Sequence, residues 1–171
     1  MIVPVIETAR LILREPREAD LDAVAGFMAS TRSALVGGPV DRQGAWRALL
    51  AGVGHWTLRG FGYWTVEDRA SGAVAGRVGI VHHAVDWPEP ELGWHIYDGF
   101  EGRGLAAAAA LAARGWWRAQ GHGAPVSYIA PQNARSIALA RRLGAVREAG
   151  DLVMFGHPVE AWRHPGKEPA A

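Results

Sequence analysis

No cysteine occurs among the 171 residues, which removes disulfides, thiolate metal sites and cysteine nucleophiles together. A surplus of one charge sign is missing too. With 18 Lys+Arg against 17 Asp+Glu, the net charge of +1 excludes the strongly basic footprint of a dedicated nucleic-acid binder. Long hydrophobic runs are absent: the Ala/Leu-rich stretch Leu105 to Ala113 is far too short to span a bilayer, and Arg114 follows it. The segment from Met1 to Glu7 lacks the basic region, apolar run and small-residue cleavage site of a signal peptide. Neither a Gly/Ser or Pro-rich linker nor a fixed-period repeat divides the chain. These absences predict one soluble, cytoplasmic domain over 1–171, with no membrane partner and no metal. At 18.3 kDa such a domain buries roughly 70% of its extended-chain surface, enough for a core without staples.

What is present reads as interleaved strands and helices. Arg10 to Arg14 predicts a first strand, and Glu18 to Ser30 a helix with Leu21, Val24, Ala25 and Met28 at helical spacing. Gly37-Gly38-Pro39 breaks the chain, after which Asp41 can cap a helix bearing Trp46, Leu49, Leu50 and Val53. Tyr63 to Glu67 and Val74 to His82 predict neighbouring strands joined by a turn at 68–72. Prolines 88 and 90 impose an extended entry into a strand from Glu91 to Tyr97. A glycine-rich loop leads to a helix from Leu105 to Gln120. A strand from Val126 to Ala130, a helix from Asn133 to Leu143 and one or two final strands complete the chain. Residues 163–171 predict a flexible tail. Because several strands adjoin directly, the expected fold is a mixed α/β sheet with helices on both faces.

The segment Asp98-Gly99-Phe100-Glu101-Gly102-Arg103-Gly104-Leu105-Ala106 leaves a strand and opens a helix. Gly102 and Gly104 carry no Cβ, so an anion can approach the amides that the first helical turn leaves unpaired. Charge supports that reading. Between Gly102 and Arg147 no Asp or Glu occurs, while Arg103, Arg114, Arg118, Arg135, Arg141, Arg142 and Arg147 supply seven cations. The 18 basic residues less those seven leave 11 against 17 acids elsewhere, a net of −6. A phosphate-rich ligand follows from helix dipole, glycine loop and basic half together. A P-loop is excluded because no Gly-Lys-Ser/Thr exists. A dinucleotide site is disfavoured, since no acid stands about 20 residues after the glycines to hold a ribose.

Thr8 to Arg14, Glu91-Leu92-Gly93-Trp94, the Glu101 to Ala106 loop, Asn133 to Ala138 and Leu143-Gly144-Ala145 occur in one order. In that combination the chain resembles the GNAT (GCN5-related N-acetyltransferase) superfamily, and within it the RimJ/RimL-like acetyltransferases. The resemblance implies a central, mostly antiparallel twisted sheet of six to seven strands flanked by about four helices. It implies acetyl-CoA as co-substrate and acetyl transfer to a primary amine, on a protein N-terminus or a small molecule, by direct attack in a ternary complex. The pyrophosphate is expected on Glu101, Gly102, Arg103, Gly104, Leu105 and Ala106, the pantetheine arm beside Ile96 and Tyr97, and Asn133 and Ser136 on the cofactor's far side. Glu101 and Ala145 depart from the family pattern, which carries Gln or Arg and Phe there. A non-catalytic acyl-CoA-binding module is the alternative reading, and the chain is expected as a monomer or homodimer.

Direct attack needs a neutral amine and a proton acceptor. In the strand from Glu91, residues 91, 93, 95 and 97 share one face. The resemblance implies Glu91 as the base, often acting through water, since the matching glutamate of many relatives has that role; His55, His82, His83 and His95 are alternates because histidine titrates near neutrality. Ser136 is the candidate donor to the departing thiolate, and Asn133 can also cap its helix. Trp46, Trp56, Trp64, Trp87 and Trp94 lie in the half preceding residue 102, where 13 acids outnumber 9 arginines. An aromatic, mildly acidic pocket for a cationic amine is the expectation.

Overall fold

The computed structural model describes residues 3–83, 87–150, 152–154 and 156–166. Nine strands and four α-helices occur among them. Strands β1 (Ile6–Glu7), β2 (Leu11–Arg14), β3 (Tyr63–Asp68), β4 (Val74–Val81) and β5 (Glu91–Ile96) form an antiparallel series. Then β6 (Val126–Ile129) pairs with β5 in parallel, at Glu91 and Val126 alone. Strand β9 (His157–Arg163) lies antiparallel to β6 and also pairs with β7 (Val146–Arg147) and β8 (Leu152–Met154). The sheet exceeds the expected six to seven strands by short pieces. Elements of two or three residues such as β1, β7 and β8 carry no period a sequence could display.

Alternation along the strands sorts the two faces. Leu11, Leu13, Trp64, Val66, Val78, Ile80 and Leu92 fall on one face in register and are buried. Helix α3 (Leu105–Ala119) covers them, with Leu105 packed among them and Ala109, Ala110 and Ala113 small enough to let helix and sheet approach closely. The opposite face, with Thr65 and Tyr97, lies beneath α1 (Leu21–Ala29) and α2 (Arg42–Arg59), which contribute Val24, Phe27, Met28 and Leu49. Asp41 caps α2 by accepting the Gly44 amide at 2.8 Å, and Gly60 ends it at φ 74°. The predicted helix at Glu18–Ser30 divides into a 3-10 turn (Glu18–Asp20) and α1.

Asp20 accounts for that division. Its carboxylate accepts both Arg14 Nη atoms (2.8 and 3.0 Å), the Arg17 amide and the Thr65 hydroxyl, joining β2, β3 and the start of α1. Burial alone raises a carboxyl pKa, but these donors outweigh it and hold Asp20 below its ordinary value. At the other end of the chain, Arg163 closes β9 and His164 is buried, so order extends into the predicted tail. Residues 167–171 of that tail lie outside the described residues.

Candidate active site

Strands β5 and β6 part company directly after their single parallel pair, and the gap between them opens a cleft of about 1020 Å³. Its walls are Trp94, His95 and Ile96 of β5, residues 100–102 and 104–107, residues 132–136 with Ala138, Leu139 and Arg142, and Phe27 of α1 with Thr31, Arg32, Leu35 and Val36 beyond it. Tyr97 N donates to Ala75 O, which makes Ile96 and Gly76 a pair without mutual hydrogen bonds. The amides and carbonyls of Leu92, Trp94 and Ile96 therefore point away from β4, toward the gap. Ser127 Oγ donates to Leu92 O at 2.5 Å and Arg32 Nη2 to Ile96 O at 3.0 Å. Trp94 and the Ile96 N–H present a strand edge to anything extended that lies there. Ile96 thus suits the predicted role and Tyr97 does not, because its amide is used by β4 and its side chain is buried.

At the cleft's other wall α3 starts. Gly102 (φ 71°) and Gly104 (φ 74°) are both left-handed, and Gly104 occupies the N-cap with no side chain to satisfy the first-turn amides. Only glycine adopts that conformation without strain, so the turn aims backbone N–H groups at the cleft. Gly102, Gly104, Leu105 and Ala106 line it as predicted. Arg103 does not: its guanidinium pairs with Asp68 at 3.4 Å and covers the Phe100 ring, leaving only its backbone for ligand binding. Glu101 lines the cleft in an ion pair with Arg32 at 2.8 Å. Across the gap α4 (Ala134–Arg142) begins with Asn133, whose Oδ1 accepts the Ser136 amide at 3.2 Å. Both residues line the cleft.

The predicted base, Glu91, is not among the cleft's lining residues. Glu91 stands at the closed end of the gap, on the α1/α2 face, with a side chain 12% exposed and paired with His83 Nε2 at 3.3 Å. It does not line the cleft, and at ~3.4 Å per residue its Cα is about 14 Å from that of His95. His95 lines the cleft, but Arg77 Nε donates to its Nδ1 at 3.0 Å, leaving the proton on Nε2. Burial, reinforced by the Arg77 charge, holds His95 well below its ordinary pKa, so it is neutral and a donor rather than a base. His55 spends both nitrogens on the Phe61 carbonyl and the His82 amide. His82 spends its own on Arg59 and the Trp87 carbonyl.

Among the described residues, the cleft does not assemble the aromatic, acidic pocket. Trp56 and Trp64 are core residues, Trp46 packs in the α1/α2 layer, and only Trp94 of the five reaches the cleft. The charged lining is Arg32, Arg135 and Arg142 against Glu101. Arg135 and Arg142 came from the acid-free stretch, whereas Arg114 is buried on the Leu143 carbonyl and Arg147 pairs with Glu160. Arg32 and Gln132 carried no sequence signal for this site, and Trp94 was expected in the acceptor pocket rather than beside the glycine loop. Their neighbours in the cleft lie far off in the chain or across a loop.

Residues 10–146 match the model of the acetyltransferase (GNAT) domain. An acetyltransferase of Agrobacterium tumefaciens is 36% identical, covers 96% of each chain and superposes with a TM-score of 0.87. A ribosomal-protein-S5-alanine acetyltransferase of Vibrio fischeri (16% identity, 97% of this chain and 98% of that one, TM-score 0.74) shares the fold. So does RimL, a ribosomal L7/L12 alpha-N-protein acetyltransferase solved with coenzyme A (16%, 94% and 97%, 0.77).

Proposed function

The chain belongs to the GNAT acetyltransferase family and uses acetyl-CoA, and from that premise we propose that it acetylates an α-amine, on a protein N-terminus or a small molecule, by direct attack in a ternary complex. The observation that carries the cofactor half of this reading is the pair of unsatisfied backbone surfaces flanking one cleft. The uncapped amides of 102–107 suit a diphosphate, and the edge of Trp94 and Ile96 suits the amide-bearing pantetheine arm. Arg135 and Arg142 add positive charge on the α4 side.

The acceptor half follows from the proton. The amine nitrogen attacks the thioester carbonyl, the C–N bond forms, the C–S bond breaks, and one proton leaves the nitrogen. An α-amine of pKa near 8 is about a tenth neutral at pH 7, a cost of roughly 1.4 kcal/mol, whereas a lysine near 10.4 costs about 4.6. No strong base lines the cleft among the described residues, which favours the weaker amine. Glu91, backed by His83, receives the proton through water from the α1/α2 side, and Ser136 donates to the departing thiolate. RimL and the S5-alanine enzyme, by their names, act on ribosomal proteins, and the former on an α-amine.

Thiol release from acetyl-CoA against peptides with free N-termini, N-acetylated lysine peptides and polyamines tests the proposal. The α-amines should turn over at least tenfold better than lysine side chains at pH 7. Equal turnover of both at that pH contradicts the α-amine assignment.

A further inference from the structure

Arg32 belongs to the 3-10 turn Thr31–Leu35, between α1 and α2, yet its side chain ends on the glycine loop. Nη1 pairs with Glu101 Oε1 at 2.8 Å and also with Asp98, Nη2 donates to the Ile96 carbonyl at 3.0 Å, and the guanidinium approaches the Phe27 ring at 5.7 Å. Among the described residues lining the cleft, Glu101 is the sole acid. Its position is awkward for a phosphate site. A carboxylate just ahead of α3 repels a bound diphosphate and can itself accept from the orphan amides, in competition with the ligand. Arg32 holds that carboxylate aside and sets a cation at the same place.

We propose that Arg32 binds the diphosphate of the cofactor, delivered from the α1–α2 connection and aimed at the loop by Glu101 and Asp98. This inference rests on the acetyl-CoA reading above. The cation that an acidic residue denies to the loop is thereby supplied from outside it. Because the same guanidinium holds Ile96 O, the contact also fixes the strand edge relative to the loop, so the two halves of the cofactor meet surfaces in a set register.

Calorimetric titration with coenzyme A tests this in wild type, Arg32→Ala, Glu101→Gln and the double variant. Arg32→Ala should weaken binding at least tenfold. The double variant should recover at least threefold of that loss, because the unmasked carboxylate is gone. Recovery of this kind is not expected of a mere brace, since removing Glu101 takes away a further tie. Arg32→Ala binding as wild type, or no recovery in the double variant, overturns the proposal. Should Arg32→Ala not fold, Arg32→Gln, which retains a donor for the Ile96 carbonyl, is read by the same criteria. If wild type itself binds no coenzyme A, the acetyl-CoA reading fails, and that failure is distinct from the others.

Discussion

Glu91, Gly93 and His95 occupy successive positions on one face of β5, and each answers to a different neighbour. A Cβ on Gly93 would run into the hydroxyl of Tyr63, whose ring lies on this face with Arg77 over it at 4.7 Å. Gly93→Ala should therefore destabilise by about 1–3 kcal/mol in denaturant unfolding, with a null effect contradicting the tight contact. Glu91→Gln should lower kcat for the best α-amine by about 10²-fold while coenzyme A affinity stays within twofold. Unchanged kcat removes Glu91 from the chemistry and leaves water as the base. Sequence alternation correctly places 91 and 95 on one face. It does not reveal that the cleft opens at the far end of the strand, because the single pair Glu91–Val126 fixes the parting point through a contact 35 residues away. For the same reason the choice between Ile96 and Tyr97 was illegible: one of two neighbours must turn its amide outward, and only the pairing with β4 decides which.

Where β5 and β6 diverge, a buried hydrogen-bonded chain replaces the missing ladder. Arg114 Nη1 donates to Leu143 O and approaches His164 Nδ1 at 3.4 Å, His164 Nε2 donates to Ser127 Oγ at 2.9 Å, and Ser127 donates to Leu92 O. Each donor finds an acceptor only while His164 is neutral with its proton on Nε2. Burial, with the charges of Arg114 and Arg163 behind it, lowers its pKa to about 4. Since the folded value lies below the ordinary 6.5, the unfolded chain binds the proton first. Stability from this group is complete above pH 6.5 and is lost as pH falls toward 4, on the order of 3 kcal/mol in all. Unfolding of His164→Gln across that window should show a shallower decline than wild type; parallel declines contradict the assignment. Ser127→Ala should cost about 1–3 kcal/mol by leaving buried partners unmet, measured by denaturant unfolding. None of this was legible in a segment that, with Pro165 and Gly166 beside it, reads as a fraying end. The helices and long strands were legible because their periods and caps (Asp41, Asn133, the alanines of α3) are local properties.

Across the whole molecule, charge is segregated in sequence more sharply than in space. The acid-free stretch from Gly102 to Arg147 spans α3, β6 and α4, but acids from elsewhere fold against part of it: Asp68 meets Arg103 and Glu160 meets Arg147. What remains at the cleft is Arg135 and Arg142, joined by Arg32 from the other half. The stretch thus borders the cleft, but only two of its seven arginines line it. The fold and the loop were recoverable because family motifs are contiguous. Arg32 was not, since it lies 64 residues from the carbonyl it holds. In the proposed complex, backbone N–H groups of 102–107 and the outward edge of β5 together receive coenzyme A. Amide chemical shifts recorded during a titration with coenzyme A report on both directly. The largest changes should fall on Gly102 to Ala107, Trp94 and Ile96, with the buried amide of Tyr97 little affected. Saturating coenzyme A that leaves those signals in place, or moves a set on another face of the sheet, contradicts this binding mode.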